Sequence, residues 1–197
     1  MSLPSDVLDG GARRVRIAAM IAFSLFLLAL TTNEIVLRFS DLFDSKFAKY
    51  YGTRERLLLL SGLANSVTLW WLASRFRSRP QRVLDVGLIF LVLMSLVISV
   101  VTEYNPRYDA RGGTWVCLSI LVWAGIAPSS PHKTLVAALA AASTVPLAIW
   151  FSHQANPGSG QPGFVLFWLV LPPYLCAVLA IVPATIMRRL GQQVRHD

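Results

Sequence analysis

The chain has 197 residues, of which only 14% are charged and 55% hydrophobic, and its net charge is +8. That leaves too little polar surface to cover a soluble globule of this size. Nor does the charge point to nucleic acid: Lys and Arg stand in short clusters between apolar runs of about 18 to 24 residues, the length that a bilayer core requires, so a membrane surface is the anionic partner they fit.

Taken in chain order, six runs are expected to span: Ile17–Val36, Leu57–Ser74, Val83–Thr102, Thr114–Ala127, Thr134–Phe151 and Phe164–Met187. The expected fold class is therefore an all-α integral membrane protein, a bundle of about six transmembrane helices. A cytoplasmic segment 1–16 precedes the transmembrane domain 17–187, and a basic cytoplasmic tail 188–197 follows. The first run begins after Arg13, Arg14 and Arg16 and ends in Thr31-Thr32-Asn33-Glu34 with no small-residue cleavage site, so it reads as a retained signal anchor. The fourth run is short, and spans only if it starts near Gly112 and runs tightly into Pro128; otherwise it is partly re-entrant. Pro128-Ser129-Ser130-Pro131 joins it to the fifth, leaving room only for a helical hairpin. The Leu37–Arg56 connection sets Leu42, Phe43 and Phe47 among charges and predicts a short interfacial helix, whereas Ser152–Gly163 carries no charge and reads as a turn.

Orientation follows from Lys and Arg, which resist translocation. One side holds Arg13, Arg14, Arg16, Arg75, Arg77, Arg79, Arg82, Lys133, Arg188, Arg189 and Arg195; the other holds Arg38, Lys46, Lys49, Arg54, Arg56, Arg107 and Arg111. The density between Arg75 and Arg82 makes the first side cytoplasmic, and both termini with it.

Ionisable groups inside the bilayer are costly and mark function by default. Asp85 is a candidate ion site, although Arg82 three residues earlier offers it an intrahelical ion pair. Glu34 and Glu103 are expected to pair with Arg38 and Arg107. His132 and His196 fall outside the spans, and His153, at an outer helix end, is the one histidine placed to meet a ligand near the interface. Ser61, Asn65 and Thr68 share a face of the second span and suit helix packing or a ligand pocket. Ala137, Ala138 and Ala141 belong to an alanine-rich face of the fifth, smooth enough for close contact with another polypeptide or with the bundle itself. Most of the six tryptophans lie toward span ends, as interface anchors do. Cys117 and Cys176 have no metal-ligand spacing around them and read as small buried residues. The chain contains no nucleophile elbow, HExxH, Walker loop or kinase glycine loop. No catalytic residue, metal or cofactor is expected, though a bound lipid or peripheral pigment is compatible with the sequence.

Gly113-Thr114-Trp115-Val116-Cys117, then Ala127-Pro128-Ser129-Ser130-Pro131-His132-Lys133-Thr134-Leu135 with the alanine-rich helix through Ser143, and then Pro146-Leu147, resemble the membrane region of some bacterial transmembrane serine/threonine kinases. The match covers about a fifth of the chain. The resemblance implies a sensor or anchor region whose last helix leaves through a basic segment, similar to Arg188–Arg195, toward a kinase domain. No kinase active-site residue is carried over, because none stands in these 197 residues. The expected location is a bacterial inner membrane, cytoplasmic or intracytoplasmic.

Three functions remain open at this stage. One is a non-catalytic accessory subunit packing against other integral membrane proteins of a photosynthetic or respiratory assembly. Another is a kinase-type sensor or anchor module, separated from its kinase or reused for packing alone. The third is a small transporter or membrane enzyme, against which the scarcity of buried charge counts.

Overall fold

A computed structural model of the chain describes residues 5–39, 53–76, 78–104, 112–126, 129–155 and 163–186. They form α1 (Ser5–Arg38), α2 (Thr53–Arg75), α3 (Pro80–Tyr104), α4 (Gly112–Ile126), α5 (Pro131–Ala155) and α6 (Gly163–Leu179), with helix resuming at 181–186. In lipid every backbone polar group must find its partner within the protein, and a helix does this within one segment. Among the described residues there is no strand.

Among the described residues, five helices are long and apolar enough to cross a membrane, over Gly10–Arg38, Arg56–Arg75, Pro80–Glu103, Pro131–Gln154 and Leu166–Ile186. α4, the run expected to be short, is not among these five. Its 15 residues reach about 22 Å at the helical rise, short of the roughly 30 Å of a hydrocarbon core. The segment before the first apolar run is helical from Ser5 onward, as the first part of α1. The connection 40–52, the turn 156–162 and the tail 187–197 lie outside the described residues, and with them the expected interfacial helix and His196.

α1 and α2 form an antiparallel pair. Gly62 is where they approach: a Cβ built there would land on the Phe26 ring. The turn between α2 and α3 is closed by the Arg79 N–H donating to the Phe76 carbonyl at 2.8 Å. α3 and α5 run parallel, because Asp85 meets Lys133 near both starts and Ser99 meets Thr144 further along. α4 lies antiparallel to α3, with the Phe90 and Trp123 rings 5.4 Å apart. α6 packs against both α4 and α5. Pro172 and Pro173 remove two backbone donors from the middle of α6, and the helix is interrupted again at Ala180.

The core gathers Val15 and Ala19 of α1, Leu69 and Ala73 of α2, Val83, Leu84, Leu88, Phe90, Leu91 and Met94 of α3, Val116, Ile120 and Trp123 of α4, and Ala137, Ala138, Ala141 and Ala142 of α5 with Ala177 of α6. Large side chains such as Leu25, Leu28, Trp70, Trp71, Phe167 and Trp168 face outward, as lipid allows.

Candidate functional site

The alanine face of α5 is built into the bundle. Ala138 is 1% exposed and Ala141 0%, and Ala137 is also buried. Ala137, Ala141, Thr144 and Ala148 recur at helical spacing, and the Thr144 hydroxyl lies 3.0 Å from that of Ser99, so this face meets α3. Of the two uses foreseen for these alanines, contact with the bundle is the one they make, and their burial withholds them from any outside partner.

That contact belongs to a polar layer which sequence reasoning missed. Besides Ser99 with Thr144, Ser143 of α5 and Tyr174 of α6 stand 3.0 Å apart, oxygen to oxygen. Cys117 of α4 and Cys176 of α6 are free, half-buried thiols. Three helices, α3, α5 and α6, are thereby tied by neutral groups, each bond contributing about 0.6 kcal/mol in a membrane protein. Ser95, one turn before Ser99, is fully buried, and its hydroxyl has no partner. The signal was present as serines four apart within an apolar run. Nothing in the sequence says that Thr144, 45 residues on, completes the pair.

The α2 stripe is divided by the fold. Ser61 and Thr68 are exposed, and their hydroxyls donate to the carbonyls of Leu58 (2.6 Å) and Ala64 (2.8 Å) on their own helix. The face toward α1 instead carries Gly62 and buried Ser66. Asn65 lies between, with an amide nitrogen that is buried and unpartnered. Of the three, Ser61 and Thr68 thus point out of the bundle, while Asn65 lies at its edge.

Both intrahelical ion pairs are corrected too. Asp85 binds Lys133 of α5 at 2.6 Å rather than Arg82. Glu34 binds Arg56 of α2 at 2.7 Å rather than Arg38. In each case the neighbouring helix presents its cation at closer range than the residue three or four positions away. Glu103 occupies the last turn of α3, and Arg107 lies outside the described residues. His132 and His153 are exposed at opposite ends of α5. Because Asp85 and Lys133 each keep about half their side-chain surface open, Asp85→Asn is expected to cost less than about 1 kcal/mol. Thermal unfolding in detergent checks this, and a loss above roughly 3 kcal/mol would mean that the pair is desolvated.

The turn into α5 is held by more than proline. Pro131 starts the helix, where a missing N–H costs nothing, while Pro128 lies outside the described residues. The Ser129 and Thr134 hydroxyls are 2.6 Å apart, and the Lys133 N–H donates to the Ser130 hydroxyl at 3.4 Å. Elsewhere two buried groups stand without partners. Asn33, 1% exposed on the core face of α1, leaves both amide atoms unpaired, and the indole N–H of Trp123 donates to nothing. Among the described residues no three His, Cys, Asp or Glu side chains come together.

The class that fold and composition define is an all-helical, multi-pass membrane protein. Comparison with protein-family models, with curated proteins and with solved structures finds no match in any of the three.

Proposed function

We propose that the chain is a non-catalytic accessory subunit, working by helix packing within a larger assembly of integral membrane proteins of photosynthetic or respiratory type. The observation that carries this reading is the outward face of α2, where Ser61, Ala64 and Thr68 are exposed while the bundle is closed on the other side by Gly62 and Ser66. Small outward side chains let a foreign helix come close, and in lipid that closeness is the main source of association energy. The buried polar groups are neutral, and some of them join helices through Ser99–Thr144 and Ser143–Tyr174, which supports a scaffold in preference to a transporter or enzyme. No cofactor is needed for this role, and a bound lipid or peripheral pigment is compatible with it.

The helices alternate in direction and the arginine clusters fall at one end, which supports both termini lying on the cytoplasmic side of a bacterial inner membrane. A kinase-type sensor or anchor module is the second reading. It is favoured by the Ser129–Thr134 and Lys133–Asp85 contacts, which give residues of the resembling turn definite structural work.

The test is co-purification after mild detergent extraction. The wild-type chain should emerge in fixed stoichiometry with a larger complex, and Ala64→Leu with Thr68→Leu should reduce recovery severalfold while leaving the melting temperature unchanged. Recovery as a lone chain, or indifference to both leucines, would overturn the accessory reading.

A further inference from the structure

We infer that the ends of α1, α2 and α3 nearest the α2–α3 turn form a binding belt for the phosphate headgroup of an anionic glycerophospholipid. Six arginines converge on this level: Arg13, Arg14 and Arg16 on α1, Arg75 at the end of α2, and Arg79 and Arg82 at the entry to α3. Packing sets them side by side. Val15, between two of the α1 arginines, lies 3.5 Å from where a Cβ on Gly87 would stand, one turn beyond Arg82. The antiparallel α1–α2 pair brings Arg75 back to the same end. Five of the six are exposed and Arg16 is half-buried.

Acids at this end, Asp6, Asp9 and Asp85, are fewer than the arginines. Among the described residues none of the six is in an ion pair. Asp85, the carboxylate closest in sequence to Arg82, is committed to Lys133. Asp6 and Asp9 stand on the first turns of α1, before Gly10, where its apolar span begins, and supply two carboxylates against six arginines. At the opposite end of the same hairpin Arg56 does have its acid, Glu34. Among the described side chains, six arginines thus stand without an acid at this end and one, Arg38, at the other.

A lipid fits better than a free anion because the surface continues past the arginines into the bilayer. One turn inward, Ile17, Met20 and Ile21 of α1 and Trp70 and Trp71 of α2 are all at least 42% exposed. These offer apolar contact to acyl chains just below a headgroup that the guanidinium groups would hold. An arginine near an anionic lipid surface strengthens binding by a factor of about five.

The inference rests on α1–α3 being embedded in lipid, and carbonate extraction tests that premise separately, since a released chain would refute the membrane reading itself. For the belt, the full chain is reconstituted in equal parts of phosphatidylglycerol and phosphatidylcholine and re-purified in detergent, and the retained lipid is quantified by mass spectrometry. Phosphatidylglycerol should be enriched over its bulk share. The enrichment should fall at least about fivefold in Arg13→Gln/Arg75→Gln/Arg82→Gln, persist in Arg38→Gln at the other end, and weaken as salt rises. Should the triple variant not fold, the salt series on the wild-type chain decides, and enrichment indifferent to ionic strength overturns the proposal. So does equal enrichment in a folded triple variant, displacement of the lipid by millimolar inorganic phosphate, or retention of an acidic polypeptide in place of lipid.

Discussion

Ala141→Leu is expected to destabilise the bundle by about 3 kcal/mol, the upper part of the usual range for forcing extra methylenes into a packed interior. Ala141 is 0% exposed on the face that α5 presents to α3, within a turn of the Ser99–Thr144 hydrogen bond. Three added carbons would push the two helices apart and lengthen that bond beyond use. Ala140, the next residue back, is exposed on the same helix, so Ala140→Leu should leave stability within about 0.5 kcal/mol of the parent. Thermal unfolding in dodecyl maltoside, followed by circular dichroism, compares the two. Equal melting temperatures would show that the face is not packed as described. Loss of a partner in the Ala140 variant alone would place an external contact on the opposite side of α5.

Gly87→Leu should be at least as damaging. A Cβ on Gly87 would fall 2.8 Å from Cζ2 of Trp123 and 3.5 Å from Cγ2 of Val15, so even the first carbon needs the indole to move. Trp123 has little room to do so, being buried and stacked at a tilt on Phe90. Gly87 thus serves as a seat for a large side chain at the junction of α1, α3 and α4, and filling it costs on the order of 3 kcal/mol. The cause can be isolated by a double-mutant cycle. Trp123→Phe shrinks the ring that Gly87→Ala would strike, so the pair together should cost less than the sum of the two alone, with a coupling above about 0.5 kcal/mol. Strict additivity would mean that the indole is not what excludes a side chain at this position.

The elements of this protein were largely legible in its sequence. Apolar runs of bilayer length, ended by arginines, prolines or glycines, predict helices because a chain in lipid has no other way to satisfy its backbone within one segment. The short fourth run stands out by counting alone, and the structure turns that brevity into a 15-residue helix. The site was legible in part. Asp85, Asn65 and the alanines of α5 were singled out by residue type, while Ser95, Ser99, Thr144, Tyr174 and Asn33 were passed over as ordinary polar residues in apolar surroundings.

What the sequence could not supply is direction around each helix. On a soluble helix a polar stripe marks the outside, but α4 and α5 are apolar or small on nearly every side, and lipid rewards an outward leucine as much as an inward one. Facing is then decided by size and by partners that are distant in the chain. Gly62 and Gly87 face neighbours because only they admit Phe26 and Trp123. Asp85 turns to Lys133, 48 residues away, rather than to Arg82. Length and hydropathy determined by themselves that this chain is helical and lives in a membrane, because the bilayer imposes both on any such sequence. Which faces close on one another, which serines find a hydroxyl, and which arginines are left without an acid were decided only in the tertiary structure, because each depends on the shape of another helix.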